Sequence, residues 1–337
     1  MTRTLTRLFS ALAVAALGYA AAPAEAAAAT ICAYDPAGKS GDFFRLLGDY
    51  ALEAGKWGAT IDLKAYTDEE TAAKDFAAGQ CDGVVATGVR LQRFNNFPST
   101  FEAVGGLPNY AAEKQLIETF AKYPSAAKKL TKGEYQTVGF IPAGAVYLFV
   151  RDRSVNSVEA LAGKRIATMD YDKAAPFMVQ KMGAIMVPAD LGSIGPKFNN
   201  GDVDICYMSA PGYGPFELHR GLANGGGIIK APLAQASFQV LVRKDKFPAD
   251  FGTKSLNYWA ANFDKALGAV KKAESAIPAD KWIDVPQDSL TEWDAIYQDV
   301  RVELRNKGAY DGVLLGVMKK IRCGQDASRS ECAENRE

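Results

Sequence analysis

The chain has 337 residues, 48% of them hydrophobic, with 39 basic and 39 acidic side chains and a single histidine. That length holds two domains of ordinary size, and the balanced charge gives no electrostatic support to a nucleic-acid partner. Five cysteines are too few for a scaffold held together mainly by disulfides.

In chain order, Arg3 and Arg7 open a basic leader, Leu8 to Ala22 form a compact apolar run, and Ala24-Glu25-Ala26 offers a small-residue cleavage site. A membrane anchor needs about 20 apolar residues, and this run is shorter. Residues 1–26 are therefore expected to be a cleaved secretion signal. The mature chain then starts at about Ala27 and is not inserted in a membrane.

Thr30 to Asp35 reads as a first strand, ending in a loop with Pro36, Gly38 and Ser40. Phe43, Leu46, Leu47, Tyr50 and Ala51 recur at helical spacing and predict a helix from about Gly41 to Lys56. Ile61 to Tyr66 alternates as a strand, and Thr67-Asp68-Glu69-Glu70 is a capping box for the next helix. Phe76-Ala77-Ala78-Gly79-Gln80-Cys81-Asp82 then leads into the apolar run Gly83 to Thr87. A glycine there suits the left-handed residue that ends a helix. The short apolar run suits a buried parallel strand. Glu113 to Lys122 is another helix, and Tyr135 to Val150 is strand material broken at Pro142-Ala143-Gly144.

Beyond Arg151 the same grammar returns. Ser157 caps a short helical turn, Lys164 to Met169 is a strand, Lys173 to Met182 a helix, Ile185 to Val187 a strand and Asp190 to Asn200 a helix. Phe198-Asn199-Asn200-Gly201-Asp202-Val203-Asp204 then repeats the earlier phrase and leads into Ile205 to Ser209. Gly225 to Gly227 form a loop and Ala236 to Arg243 a strand that crosses back. Leu256 to Ala273 and Ser289 to Asn306 are helical. Two copies of one strand–helix–strand unit, far apart in sequence, predict an α/β fold of two lobes. Each lobe is a doubly wound, mostly parallel sheet flanked by helices, with a ligand cleft between them. The first lobe takes residues 27–145 and 236–337, the second 146–235, and two crossings between them make a hinge.

Motifs for chemistry are weak. Ala33 to Ser40 nearly spells a phosphate loop, but Ala33 replaces its first glycine and Pro36 removes a backbone donor. Ser125 and Lys128 match S-x-x-K without its companion motifs. His219 lies on an ordinary amphipathic segment, and a lone histidine is more often a packed or surface residue than a base. No cluster has zinc spacing, and neither metal nor cofactor is implied. The sequence therefore favours binding over catalysis, with a secreted enzyme on a related fold as the alternative.

Open α/β sheets hold ligands at the C-terminal ends of their strands. Those positions are Asp35, Lys39, Ser40, Thr87 and Arg90 on the first side, and Met169, Asp170, Tyr207, Met208 and Ser209 on the second. Tyr147 and Arg151 stand near one crossing and Gln239 on the other. Arg90 and Arg151 are the candidate clamps for a carboxylate. Cys32 and Cys81 fall on strands expected to be neighbours and are candidates for a disulfide. Cys323 and Cys332 are candidates to clip the polar tail. The alternative, five unpaired thiols, stays open, and Cys206 in an apolar strand reads as a buried free thiol.

The segment Val155-Asn156-Ser157-Val158-Glu159-Ala160-Leu161-Ala162-Gly163-Lys164-Arg165-Ile166 resembles the entry to the second lobe in the periplasmic solute-binding receptors of TRAP transporters, the DctP-like family. Met182-Gly183-Ala184 and the second phrase continue the likeness. Thr30-Ile31-Cys32 and Gly79 to Gly83 resemble a divergent branch of solute-binding proteins, some bearing an efflux-associated name of the AdeT type. The resemblance implies a periplasmic protein that binds a small-molecule solute between two lobes and delivers it to membrane transporter subunits. An efflux-associated accessory role is the alternative the branch name brings, but no sustained heptads accompany it. The family's carboxylate-clamping arginine follows the isoleucine of the matching segment. Here that position is Ala167, with Arg165 two residues before it, so the resemblance leaves the charge of the solute open.

Overall fold

The computed structural model describes residues 28–337, so the expected secretion signal lies outside the described residues. Its first half is built as the apolar runs dictate. Strand β1 (Ala29–Tyr34) is followed by helix α1 (Asp42–Lys56), β2 (Ile61–Tyr66), α2 (Glu69–Ala77) and β3 (Gly83–Thr87). The cap of α2 is Asp68, whose side chain accepts from Thr71 N. The short helices α3 (Gly88–Leu91) and α4 (Asn96–Ser99) follow, then α5 (Tyr110–Lys122), capped by Asn109, and α6 (Pro124–Lys129). A two-residue strand, β4 (Thr131–Lys132), leads into β5 (Tyr135–Val150), 16 residues long.

The second half repeats the plan with β6 (Arg165–Met169), α7 (Ala175–Lys181), β7 (Ile185–Ala189), α8 (Leu191–Asn200) and β8 (Ile205–Ser209). Asp190 and Ser193 form the capping box of α8. Strand β9 (Gly227–Ile229) starts inside the expected glycine loop, because Gly227 pairs with Val150. Strand β10 (Ala234–Arg243) returns across the molecule. The stretch expected as one helix is two, α9 (Phe251–Ala261) and α10 (Phe263–Ala276), separated at Asn262, whose amide donates to Tyr258 O. A two-residue strand, β11 (Trp282–Ile283), and the helices α11 (Gln287–Asn306) and α12 (Gly312–Gln325) complete the chain.

All these strands belong to one sheet, with β2-β1-β3-β10-β5-β8-β6-β7 as its path. Each flank is parallel: β1 lies between β2 and β3, and β6 between β7 and β8. The centre is antiparallel, with β10 paired to β3 and β5, and β5 to β8. The expected break at Pro142 to Gly144 is a bulge within a continuous strand. Ala236 pairs with Gly144 and Ser237 with Pro142, so Ala143 is the extra residue. Gly144 takes φ +102°, a conformation natural to glycine alone. β5 thus joins the two sides, pairing with β10 over its first part and with β8 over Val146 to Val150, while β10 lies between β5 and β3. β11 lies in the stretch expected to belong to the first lobe, yet it pairs with β9 on the other side.

A large apolar cluster fills the first flank and the C-terminal helices and extends into the second flank through Leu161, Ile166, Met178 and Ile205, and a smaller one around Phe149, Phe198 and Leu222 fills the rest of the second flank. Two disulfides are present, Cys32–Cys81 and Cys323–Cys332, and Cys206 is a buried free thiol. The second bridge folds residues 326–337 back onto α11 and α12. There Arg301 and Arg322 are buried against Glu331 and Glu337. The same two arginines donate to Val104 O and Gly106 O, which anchors the segment next to the central hollow.

Candidate functional site

The parallel strands of both flanks end at one place, beside the antiparallel pair, and a hollow of about 190 Å³ lies there. Tyr34 at the end of β1, Pro36 beyond it and Thr87 at the end of β3 line it from the first flank. Met169 at the end of β6 and Tyr207, Met208 and Ser209 of β8 line it from the second. Val146 and Leu148 of β5 and Ala236 and Phe238 of β10 form its floor, and Met178 of α7 with Met182 just beyond it close one side. This is the position where the topology of an open α/β sheet leaves room for a ligand.

Few charged groups face the hollow. Glu102 is buried and accepts from Gly88 N at 2.8 Å, Val89 N at 2.9 Å, and both Ser237 N and Ser237 Oγ at 2.9 Å. Burial pushes its carboxyl up to about 7, against the pull of those donors. The backbone passes so close that a Cβ at Gly88 would meet Gln239 at 2.3 Å and Glu102 at 2.9 Å. Asp172 accepts from Ala174 N at 2.8 Å, Ala175 N at 3.2 Å and Tyr207 Oη at 3.1 Å, which ties down the turn into α7 and fixes the tyrosine. Burial raises its carboxyl above the ordinary value. Tyr207 Oη in turn accepts from Met169 N. Tyr310, from the turn between α11 and α12, reaches the hollow, and its hydroxyl accepts from Val104 N. Among the described lining residues Lys173 is the one cation, and it is exposed.

Of the residues expected at the site, Thr87, Met169, Tyr207, Met208 and Ser209 are brought together there. The others lie outside its lining. Asp35 is 2% exposed and accepts from Ala37 N and Phe44 N, tying its loop to the start of α1. Lys39 and Ser40 are exposed on that loop, and Asp170 is exposed after β6. Tyr147 packs edge-on against Trp282, because neighbours on a strand face opposite sides and Val146 and Leu148 take the hollow. Gln239 is buried and donates to Pro98 O.

Neither expected clamp reaches the hollow. Arg151 donates to Phe198 O and Asn199 O and so closes the C-terminal end of α8. Arg90 pairs with Glu69 at 3.2 Å and lies 3.4 Å from the ring centroid of Tyr171. Tyr171 lines both the central hollow and a smaller neighbouring one, whereas Arg90 lines only the smaller. Ala167 is fully buried in the second core cluster, and Arg165 pairs with Asp204 at 2.7 Å.

Comparison with known proteins agrees with this layout. The family described as solute-binding protein AdeT 1/2 matches residues 51–337. The chain is 40% identical over 304 residues to Probable solute-binding protein AdeT1 of Acinetobacter baumannii, covering 90% of this chain and all of that one. It is 27% identical over 235 residues to Probable solute-binding protein AdeT2 of the same organism, covering 69% of this chain and 98% of that one. In fold it is similar to a TRAP periplasmic solute-binding protein from Desulfovibrio salexigens with bound orotic acid. The TM-score is 0.72 at 14% identity, covering 88% of this chain and 98% of the other. It is also similar to one from Rhodoferax ferrireducens with bound malonate, at TM-score 0.69 and 16% identity, with the same coverage of each chain.

Proposed function

Because the chain belongs to the AdeT 1/2 family of solute-binding proteins, we propose that it is a periplasmic receptor. It captures a small molecule in the central hollow and hands it to subunits of a TRAP-like membrane transporter. Residues 1–26 serve as the export signal. Residues 27–145 and 236–337 act as one lobe and 146–235 as the other, with β11 reaching across to the second. β5 and β10 are the hinge, because they stand between the two parallel flanks and their pairing is loosened by the bulge at Ala143. Closure around a ligand buries it from water and presents one joined surface to the transporter. No helix among the described residues is long and apolar enough to cross a membrane.

The observation that carries this reading is the hollow itself. Strand ends from both flanks supply its walls, and most of the side chains they bring are apolar or aromatic. The single histidine, His219, is exposed and lies edge-on to Tyr213. The structural neighbours hold orotic acid in one case and malonate in another. A thermal-shift screen of a metabolite panel, with each hit recovered and analysed, tests the reading. A stabilising compound recovered unchanged supports a receptor. Consumption of the compound overturns it in favour of an enzyme, and silence across the panel removes the hollow as a binding site.

A further inference from the structure

The walls of the hollow differ in kind from what a small organic acid needs. Guanidinium groups pair with carboxylates through two parallel hydrogen bonds, and every nearby arginine is committed elsewhere. Arg90 is held by Glu69 and the ring of Tyr171, Arg151 by the end of α8, and Arg165 by Asp204 and Gly201 O. Where the resemblance calls for an arginine, Ala167 is packed in the core. An incoming carboxylate would meet Glu102 and Asp172 instead.

Those two carboxylates have no cationic partner among the described residues; neutral N–H and O–H groups hold both. Fixed dipoles hold them in place without supplying a counter-charge, so in their ionised form they bias the hollow toward positive charge. Lys173 is exposed at the rim, where water screens its ammonium. The remaining wall is apolar and polarisable. Tyr34, Tyr171, Tyr207 and Phe238 supply aromatic rings, and Met169 and Met178 supply thioethers.

We infer that the solute is a small organic cation, an ammonium carried on an apolar body, seated with its charge toward Glu102 and Asp172 and its body among the tyrosines and methionines. The inference rests on the receptor reading of the hollow and adds the class of ligand. Burial already raises both carboxyls above their ordinary values, and a bound ammonium relieves that cost.

Three phenylalkyl probes of similar length differ chiefly in charge: phenethylamine, the neutral phenylpropanol, and hydrocinnamate, titrated calorimetrically into the full chain. Phenethylamine is expected to bind at least about tenfold tighter than either of the others, as a charge near two carboxylates in a low-dielectric site requires. Asp172→Asn keeps the size of the side chain and is expected to weaken the amine about tenfold while leaving the alcohol within about twofold. Glu102→Gln is the companion variant, used where its melting curve shows it folded. Met178→Trp fills the hollow and is expected to abolish all binding. Hydrocinnamate or phenylpropanol binding as tightly as the amine, and lost in Met178→Trp, overturns the cationic class while the receptor reading stands. If none of the three binds and the metabolite panel is silent too, the receptor reading falls with it.

Discussion

The two copies of the repeated phrase are built alike, hydrogen bond for hydrogen bond. Gly79 N and Gly201 N each donate to the carbonyl of their phrase's phenylalanine, Phe76 and Phe198. The next residue, Gln80 or Asp202, donates to Asp75 O or Lys197 O. Asp82 exchanges two hydrogen bonds with Thr30 at the start of β1, and Asp204 exchanges the same two with Arg165 at the start of β6. The copies part company only in their clamps and in the turns beyond their strands. The first is tied by the Cys32–Cys81 bridge, the second by the Arg165–Asp204 ion pair. After β3 the chain turns into α3, whose first N–H groups are taken by Glu102. After β8 it makes an uncharged turn at Ala210 to Gly212. Backbone geometry is repeated between the copies, and the chemistry facing the hollow has diverged.

Breaking the covalent clamp has the largest expected effect on that comparison. Cys32→Ala with Cys81→Ala opens a loop of 49 residues and should cost about 4 kcal/mol in urea unfolding. The loop at Cys323–Cys332 spans only 9 residues and should cost about 3 kcal/mol. Equal losses would contradict a loop-entropy origin. Next comes Glu102, which only the first copy has. Its folded value is raised from 4.5 to about 7, so its favourable share is fully present below pH 4.5 and lost as pH rises through 7. The loss is on the order of 3 kcal/mol, and Glu102→Gln should remove that slope from a pH series of melting curves.

The aspartates sharpen the comparison further. Asp82→Ala should cost about 1.5 kcal/mol by leaving Thr30 N without its acceptor. Asp204→Ala should cost about as much, with an added part that salt screens, because its ion pair with Arg165 is well exposed. The hydrogen bond from Arg165 holds the Asp204 carboxyl below its ordinary 3.8. That stability is present above pH 3.8 and disappears as pH falls through the folded value, an acid limb that Asp204→Ala should lack. Smallest are the glycines. Gly79→Ala and Gly201→Ala, at φ +78° and +85°, should each cost about 1 kcal/mol, since neither new methyl meets an atom closer than 3.5 Å. A silent substitution at either would separate the copies.

Local rules made the scaffold legible. The phrase and its glycine caps follow from short-range patterns and the Cys32–Cys81 bridge from strand adjacency, whereas the capping box read at Thr67 gives way to Asp68 as the cap of α2. Half of the site was not legible in this way. Glu102 comes from a short turn at Thr100 to Glu102 in a stretch without periodicity, and Tyr310 from a turn more than 200 residues further along the chain. Nothing near either residue says that they meet. Arg90 and Arg151 show the converse. A cation near a strand end reads the same whether its partner is a ligand or the protein. Glu69 lies 21 residues from Arg90, and the carbonyl of Phe198 lies 47 from Arg151.

The order of the cysteines along the chain carries a consequence for biogenesis. Cys32 bonds to Cys81, its nearest cysteine downstream, and Cys323 likewise to Cys332, with the free Cys206 between the two pairs. A polypeptide threaded N-terminus first into an oxidising space would join its first two thiols before a third emerged. Cys206 would be shielded within β8 by the time the last pair arrived. Native pairing would then need no reshuffling, and export in cells lacking a disulfide isomerase should yield the same two bridges by peptide mapping. Mispaired Cys206 in those cells would show that folding of the second half lags behind its synthesis.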